Sequence, residues 1–294
     1  MKPTFEIIKL AAKDCLKHWK IFVIFSILIR LLFSLLLQLL QSISSSPIWD
    51  VVFYTLLRMV AHNEDLATLS ASSVLASVGI FLIQYGLIPL FVTLPVILYL
   101  HRQNLSKSAP FMKDWLRSAG PFTLFSLLWG LVSELIYTLF ILYRFLCQFL
   151  QTAAATTSIP DYTGLCQSIG GLLFGVFLVL SPIWMFVYKM TPVIIVTEKR
   201  KTYRAMQKSY LMLVQHFVSN FWRFFKITVI FFIPTFVLSW IGDLFPLSQI
   251  LFFIVTGVLE PLEFACYLHL YRGFASQRAV RLRPRLQKLS QKLK

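Results

Sequence analysis

The sequence predicts an all-α polytopic membrane protein with six transmembrane helices, amphipathic helices on the cytoplasmic side, and both termini in the cytoplasm. Composition is the first observation behind this reading. Of 294 residues, 57% are hydrophobic and only 14% charged, and the mean hydropathy is +0.73. A soluble domain carries about 25% charged and about 45–50% apolar residues, so one core cannot hide the excess here. Lipid is the solvent that accommodates it. The second observation is a set of six apolar runs, each about 20 residues long, the length a bilayer requires. The third is the alternation of basic residues between the loops that join the runs.

Ile21–Leu40 is the first run, interrupted by Arg30 and a few small or amide residues. Its charged lead-in and its apolar stretch are both too long for a secretion signal, so it reads as a retained helix. Val74–Leu100 is the second run and Pro121–Leu142 the third. The fourth is about Ser168–Tyr188, trailed by the apolar strip Pro192–Val196. Phe224–Ile241 is the fifth; a tight Gly242-Asp243 turn then leads into the sixth, Leu247–Leu270. This organisation is a single transmembrane domain over residues 1–271 and a basic cytoplasmic tail over 272–294. Ser42–Pro47 and Thr152–Pro160, rich in Ser, Thr, Ala and Pro, read as loop.

Orientation follows from the loop charges. Lys2, Lys9, Lys13, Lys17 and Lys20 precede the first run, and Arg102, Lys107, Lys113 and Arg117 fill the second loop. Further clusters occupy the fourth loop, from Lys189 to Lys226, and the tail, from Arg272 to Lys294. The intervening loops hold only Arg58 and Arg144. The net charge of +16 therefore marks an inner face and does not track a nucleic acid. Trp19, Trp115 and Trp222 fall at inner interfaces, and Trp49 and Trp240 at outer ones, where amphipathic rings settle.

Segments on the inner side are amphipathic. Phe5, Ile8, Ala12, Cys15, Leu16 and Trp19 recur at helical spacing, with Glu6, Lys13 and Lys17 around the other side. Tyr203, Met206, Tyr210, Leu213, Val214 and Phe217 repeat the pattern against Lys201, Arg204 and Lys208. Such helices lie in the headgroup region of the inner leaflet. Phe111–Arg117 is a weaker version before the third run, which suggests three repeats of surface helix plus transmembrane hairpin.

The stretch Thr191-Pro192-Val193-Ile194-Ile195-Val196-Thr197-Glu198, followed by Ala205–Val214 and Asn220-Phe221-Trp222-Arg223, resembles the signature of a bacterial membrane-domain group. That group includes the membrane domain of some glycerophosphodiester phosphodiesterases and uncharacterised inner-membrane proteins of the same six-helix plan. The resemblance is loose over most of the chain and more specific over Thr191–Arg223. It implies the six-helix fold and the bacterial inner membrane. The hydrolase domain is not matched, so that activity does not carry over.

Polar residues at membrane depth carry the candidate site. Arg30 is near the middle of the first run, Glu134 in the middle of the third, and Glu260 and Glu263 in the sixth. A charge at a helix centre costs about 2.5–3.5 kcal/mol on insertion scales, so such residues face a bundle interior or a wet cavity. Glu260 and Glu263 share a helix face. Pro261 between them cannot donate to the Gly257 carbonyl, which marks a candidate helix break at Gly257 and Pro261. Two uses are open: Arg30 pairs with one Glu to fix packing, or the group binds a proton or small cation. Three carboxylates around one Arg would also raise at least one carboxyl pKa.

Other constellations are weaker. Cys147 and Cys166 flank the third loop and form either a disulfide or two thiols. Gly171-Leu172-Leu173-Phe174-Gly175 offers a small-residue face for internal packing. No metal-ligand spacing, phosphate loop or nucleophile motif is present, so neither catalysis nor a cofactor is indicated. In the tail, Arg281, Arg283, Arg285, Lys288, Lys292 and Lys294 suit an anionic inner leaflet. Expected partners are that leaflet and other membrane proteins, not nucleic acid; oligomeric state is not readable. The expected function is an accessory or scaffold that organises lipids or membrane proteins from the cytoplasmic side. The alternative is a small-solute or ion carrier built on the midplane Glu/Arg group.

Overall fold

The computed structural model describes residues 3–43, 71–103, 110–156, 163–215, 217–242 and 248–292. Trp49 and Arg58 in the first outer loop, Asp243 of the expected turn, and Lys294 lie outside the described residues. Among the described residues the chain is all-helical, as composition and periodicity predict.

Helix α1 is Thr4–Lys17. The first run is α2 (Trp19–Phe22), a π-helical segment (Val23–Leu28) and α3 (Ile29–Gln41). The second is α4 (Ala71–Leu82), two π-helical segments (Ile83–Leu87 and Pro89–Thr93) and α5 (Leu94–Gln103). Pro89 and Pro95 supply no N–H to the preceding turn, and widened turns are one way a helix absorbs that loss. Then come α6 (Phe111–Thr156), α7 (Thr163–Glu198), α8 (Thr202–Gln215), α9 (Phe217–Gly242) and α10 (Ser248–Lys292).

Among the described residues, three stretches are long and apolar enough to cross a membrane: Val74–Arg102, Phe111–Phe140 and Cys166–Glu198. Ser26–Gln41 is a shorter apolar helix. Expected breaks are missing in several places. The 46 residues of α6 rise about 69 Å, so the Phe111–Arg117 segment is its opening turns and not a separate surface helix. Its far end runs to Thr156, through Ala153-Ala154-Ala155, where a loop was expected; alanine is the best helix former. The strip Pro192–Val196 is the end of α7. Likewise α10 passes through Gly257, Pro261 and Pro284 without interruption to Lys292, leaving no boundary at 271/272. Neighbouring groups re-satisfy the backbone around a proline in such helices.

The chain forms two compact units. The first comprises 1–32, 88–122 and 186–294. Its hub is α10, which packs against α1, the Val23–Leu28 segment, α5 and α9. Phe264 to Leu268, together with Leu270 and Tyr271, are all buried, as a helix surrounded on several sides requires. Val193 to Val196 of α7 and Val96 to Leu98 of α5 complete this core. Gly257 permits the closest approach: a Cβ there would sit 2.6 Å from Ile27 Cγ1 and 3.2 Å from the Ser26 carbonyl oxygen.

The second unit comprises 33–87 and 123–185. Trp129 and Trp184 stack at 4.1 Å, and the Tyr85 ring lies over Gly130. Gly171 and Gly175 meet nothing within 4 Å, and residues 171–177 are exposed. The GxxxG expected to mediate helix packing is therefore an uncovered apolar face.

Candidate functional site

Glu260, Glu263 and Tyr267 follow one another at i, i+3 and i+7 along one face of α10. Each carboxylate has its own cation. Glu260 forms an ion pair with Arg30, from the first turn of α3. Its other oxygen accepts a 2.7 Å hydrogen bond from Thr93 Oγ1, at the end of the Pro89–Thr93 segment. Glu263 accepts from Lys189 Nζ of α7 at 2.8 Å and from Tyr267 Oη at 2.7 Å. Thr228 Oγ1 of α9 donates in turn to Tyr267 Oη at 3.0 Å. Phe224 stacks on the Tyr267 ring, with centroids 5.3 Å apart, and Lys189 Nζ lies 5.5 Å from the Phe264 ring centre. The network draws on α3, the Pro89–Thr93 segment, α7, α9 and α10 through residues that all lie in the first unit.

Glu134 is not part of it. It belongs to the second unit, where Tyr85 Oη donates to it at 3.1 Å. Within the first unit the two carboxylates form two charge pairs, Glu260 with Arg30 and Glu263 with Lys189. Two donors beside the first pair are left over. Among the described residues, Arg30 Nε and Ser26 Oγ are buried without a hydrogen-bond partner.

Lys189 is the functional residue that the sequence reading missed. A lysine at the end of an apolar run counts as a loop charge. The signal against that was the strip Pro192–Val196, which continues the helix past it.

Surface helices are tied to the same hub. His269 Nε2 bonds Asp14 Oδ2 at 2.9 Å, and His18 Nδ1 bonds Tyr99 Oη at 2.8 Å. On α8 the buried residues are Thr202, Ala205, Ser209 and Leu213. Ser209 bonds Thr191 at 3.0 Å, and Lys208 and Tyr271 converge on Glu198. The stretch Thr191–Val214 is thus the joint between α7 and α8.

Cys147 and Cys166 are both free thiols, and Tyr143 Oη donates to the Cys166 carbonyl. In the tail, the backbone of residues 281–292 is the last part of α10. Compared with protein families, with curated proteins and with solved structures, the chain matches none.

Proposed function

We propose that the chain is a six-span protein of the bacterial inner membrane, with both termini in the cytoplasm. We propose further that it acts as a non-enzymatic accessory or scaffold, organising lipids or other membrane proteins from the cytoplasmic side. The observation that carries this reading is the one-to-one pairing of Arg30 with Glu260 and of Lys189 with Glu263. Unpaired, each of these groups costs about 2.5–3.5 kcal/mol at membrane depth. Paired, they hold α3, α7 and α10 together where lipid gives no hydrophobic force between helices. The topology draws support from the first unit, which contains every Lys and Arg except Arg58 and Arg144. The resemblance over Thr191–Arg223 supports the same plan.

A specific observation favours the carrier alternative: the Arg30–Glu260 pair stands beside the widened π-helical segment Val23–Leu28. Such segments recur at functional sites. Thermal unfolding of the purified protein in nanodiscs, across sodium, potassium and pH series, separates the two. The scaffold reading predicts one midpoint at all cation concentrations. A midpoint that climbs with one cation, and stops climbing in Glu260→Gln, would establish the carrier.

A further inference from the structure

Helix α1, with His18 at its C-cap and Trp19 and Lys20 at the start of α2, carries three stripes. Ile7, Ala11, Asp14 and His18 recur at i, i+4, i+7 and i+11 and form the packed side: Ile7 and Ala11 are buried, and the other two hold the hydrogen bonds to His269 and Tyr99. About a third of a turn away, Phe5, Leu16 and Trp19 form a second stripe, and they are 77%, 73% and 55% exposed. Lys9, Lys13, Lys17 and Lys20, all exposed, form the third stripe beside the second.

The sequence marks Phe5, Leu16 and Trp19 as the apolar side, yet the helix uses its neighbouring small residues to pack and leaves the large ones uncovered. Helix α8 repeats the choice. It buries Ala205 and Ser209, with Leu213 as its one large apolar member, while Tyr203 and Tyr210 stay 75% and 53% exposed.

We propose that α1 is an anchor for anionic phospholipid: Phe5, Leu16 and Trp19 seat among the acyl-chain ends of the inner leaflet, and the four lysines hold anionic headgroups. The inference rests on the six-span reading, which puts α1 at the inner surface, and it names the lipid class that the scaffold gathers. Charge complementarity decides the occupant. Large apolar side chains flanked by lysines are the composition of an interfacial helix, and each lysine near an anionic leaflet adds attraction. A soluble acidic partner would meet the lysines but leave the aromatic stripe wet.

The test uses the full chain in nanodiscs, with native cysteines replaced by serine and a nitroxide at Leu16→Cys. The expected result is a label open to oxygen and shielded from aqueous nickel, deeper when phosphatidylglycerol is added to zwitterionic lipid. In the added background Lys9→Gln, Lys13→Gln and Lys17→Gln, that lipid-dependent deepening disappears. A label that stays in water with either lipid overturns the proposal, as does dipolar coupling between labels, which would put a second copy on the stripe. A nitroxide at Leu172→Cys, on the exposed face of α7, is the control. If it is open to nickel, the membrane reading itself fails; if it is at depth while Leu16 is wet, the anchor alone fails.

Discussion

Lys189 Nζ and Glu263 Oε2 lie 2.8 Å apart, joining the C-terminal third of α7 to the N-terminal half of α10. A lysine that reads as the first charge of a loop is instead the counter-ion of a carboxylate on another helix. The second carboxylate oxygen is held by Tyr267, so the geometry around Glu263 is fixed from two sides. Glu260 is held the same way, by Arg30 and Thr93.

Tyr267→Phe keeps the ring against Phe224 and deletes the hydroxyl that links Glu263 to Thr228. Interhelical hydrogen bonds in membranes are worth about 0.6 kcal/mol on average and up to about 1.7. The variant should therefore melt a few degrees lower, with unchanged helical content by circular dichroism. An unchanged midpoint would mean that the bond carries no load.

Gly257→Ala places a methyl 2.6 Å from Ile27 Cγ1 and close to the Ser26 carbonyl. Overpacking of this kind costs about 1–3 kcal/mol, and trimming the neighbour with Ile27→Ala should recover part of it. Gly171→Ala and Gly175→Ala meet open space and should leave the midpoint where it is. Equal losses at Gly257 and Gly171 would contradict the packing described.

Burial, helped by the Asp14 carboxylate, pushes the Cys15 thiol up to about 12. At pH 8 about one molecule in ten thousand is then thiolate, so alkylation of Cys15 in the folded protein should be about a thousandfold slower than in denaturant. Peptide mapping after a timed pulse measures this. Folded and unfolded rates within about tenfold of each other would show the thiol to be unshifted.

His18 is held below its ordinary value of 6.5, chiefly by burial and then by Lys17. The folded chain thus binds fewer protons at this site than the unfolded chain, so stability rises with pH across the window from the folded value up to 6.5. Above that window the site has no effect; below 6.5 its protonation weighs against the folded state. Wild type should lose more thermal stability than His18→Gln between neutral and mildly acidic pH. Parallel losses would remove His18 from the account.

The all-helical class was legible in the sequence, because lipid demands long apolar helices, and isolated charges inside the apolar runs made Arg30, Glu260 and Glu263 conspicuous. Three features were not. Pro121, Pro261 and Pro284 read as punctuation, yet membrane helices tolerate them. The packed faces of α1 and α8 were not read, because periodicity marks the most apolar stripe, whereas close helix contact also uses small residues such as Ala11, Ala205 and Ser209. Lys189 was hidden because a basic residue at the end of an apolar run has the same appearance whether it orients the chain or neutralises a carboxylate.

The central claim is that the paired charges of the first unit serve one another. A charge exchange tests it most directly: thermal midpoints in nanodiscs for Lys189→Glu, for Glu263→Lys and for the two together. Each single variant buries two like charges and should be severely destabilised, by about 3–5 kcal/mol, while the double variant regains most of that loss. A double variant no more stable than the singles, or singles as stable as wild type, would contradict the account.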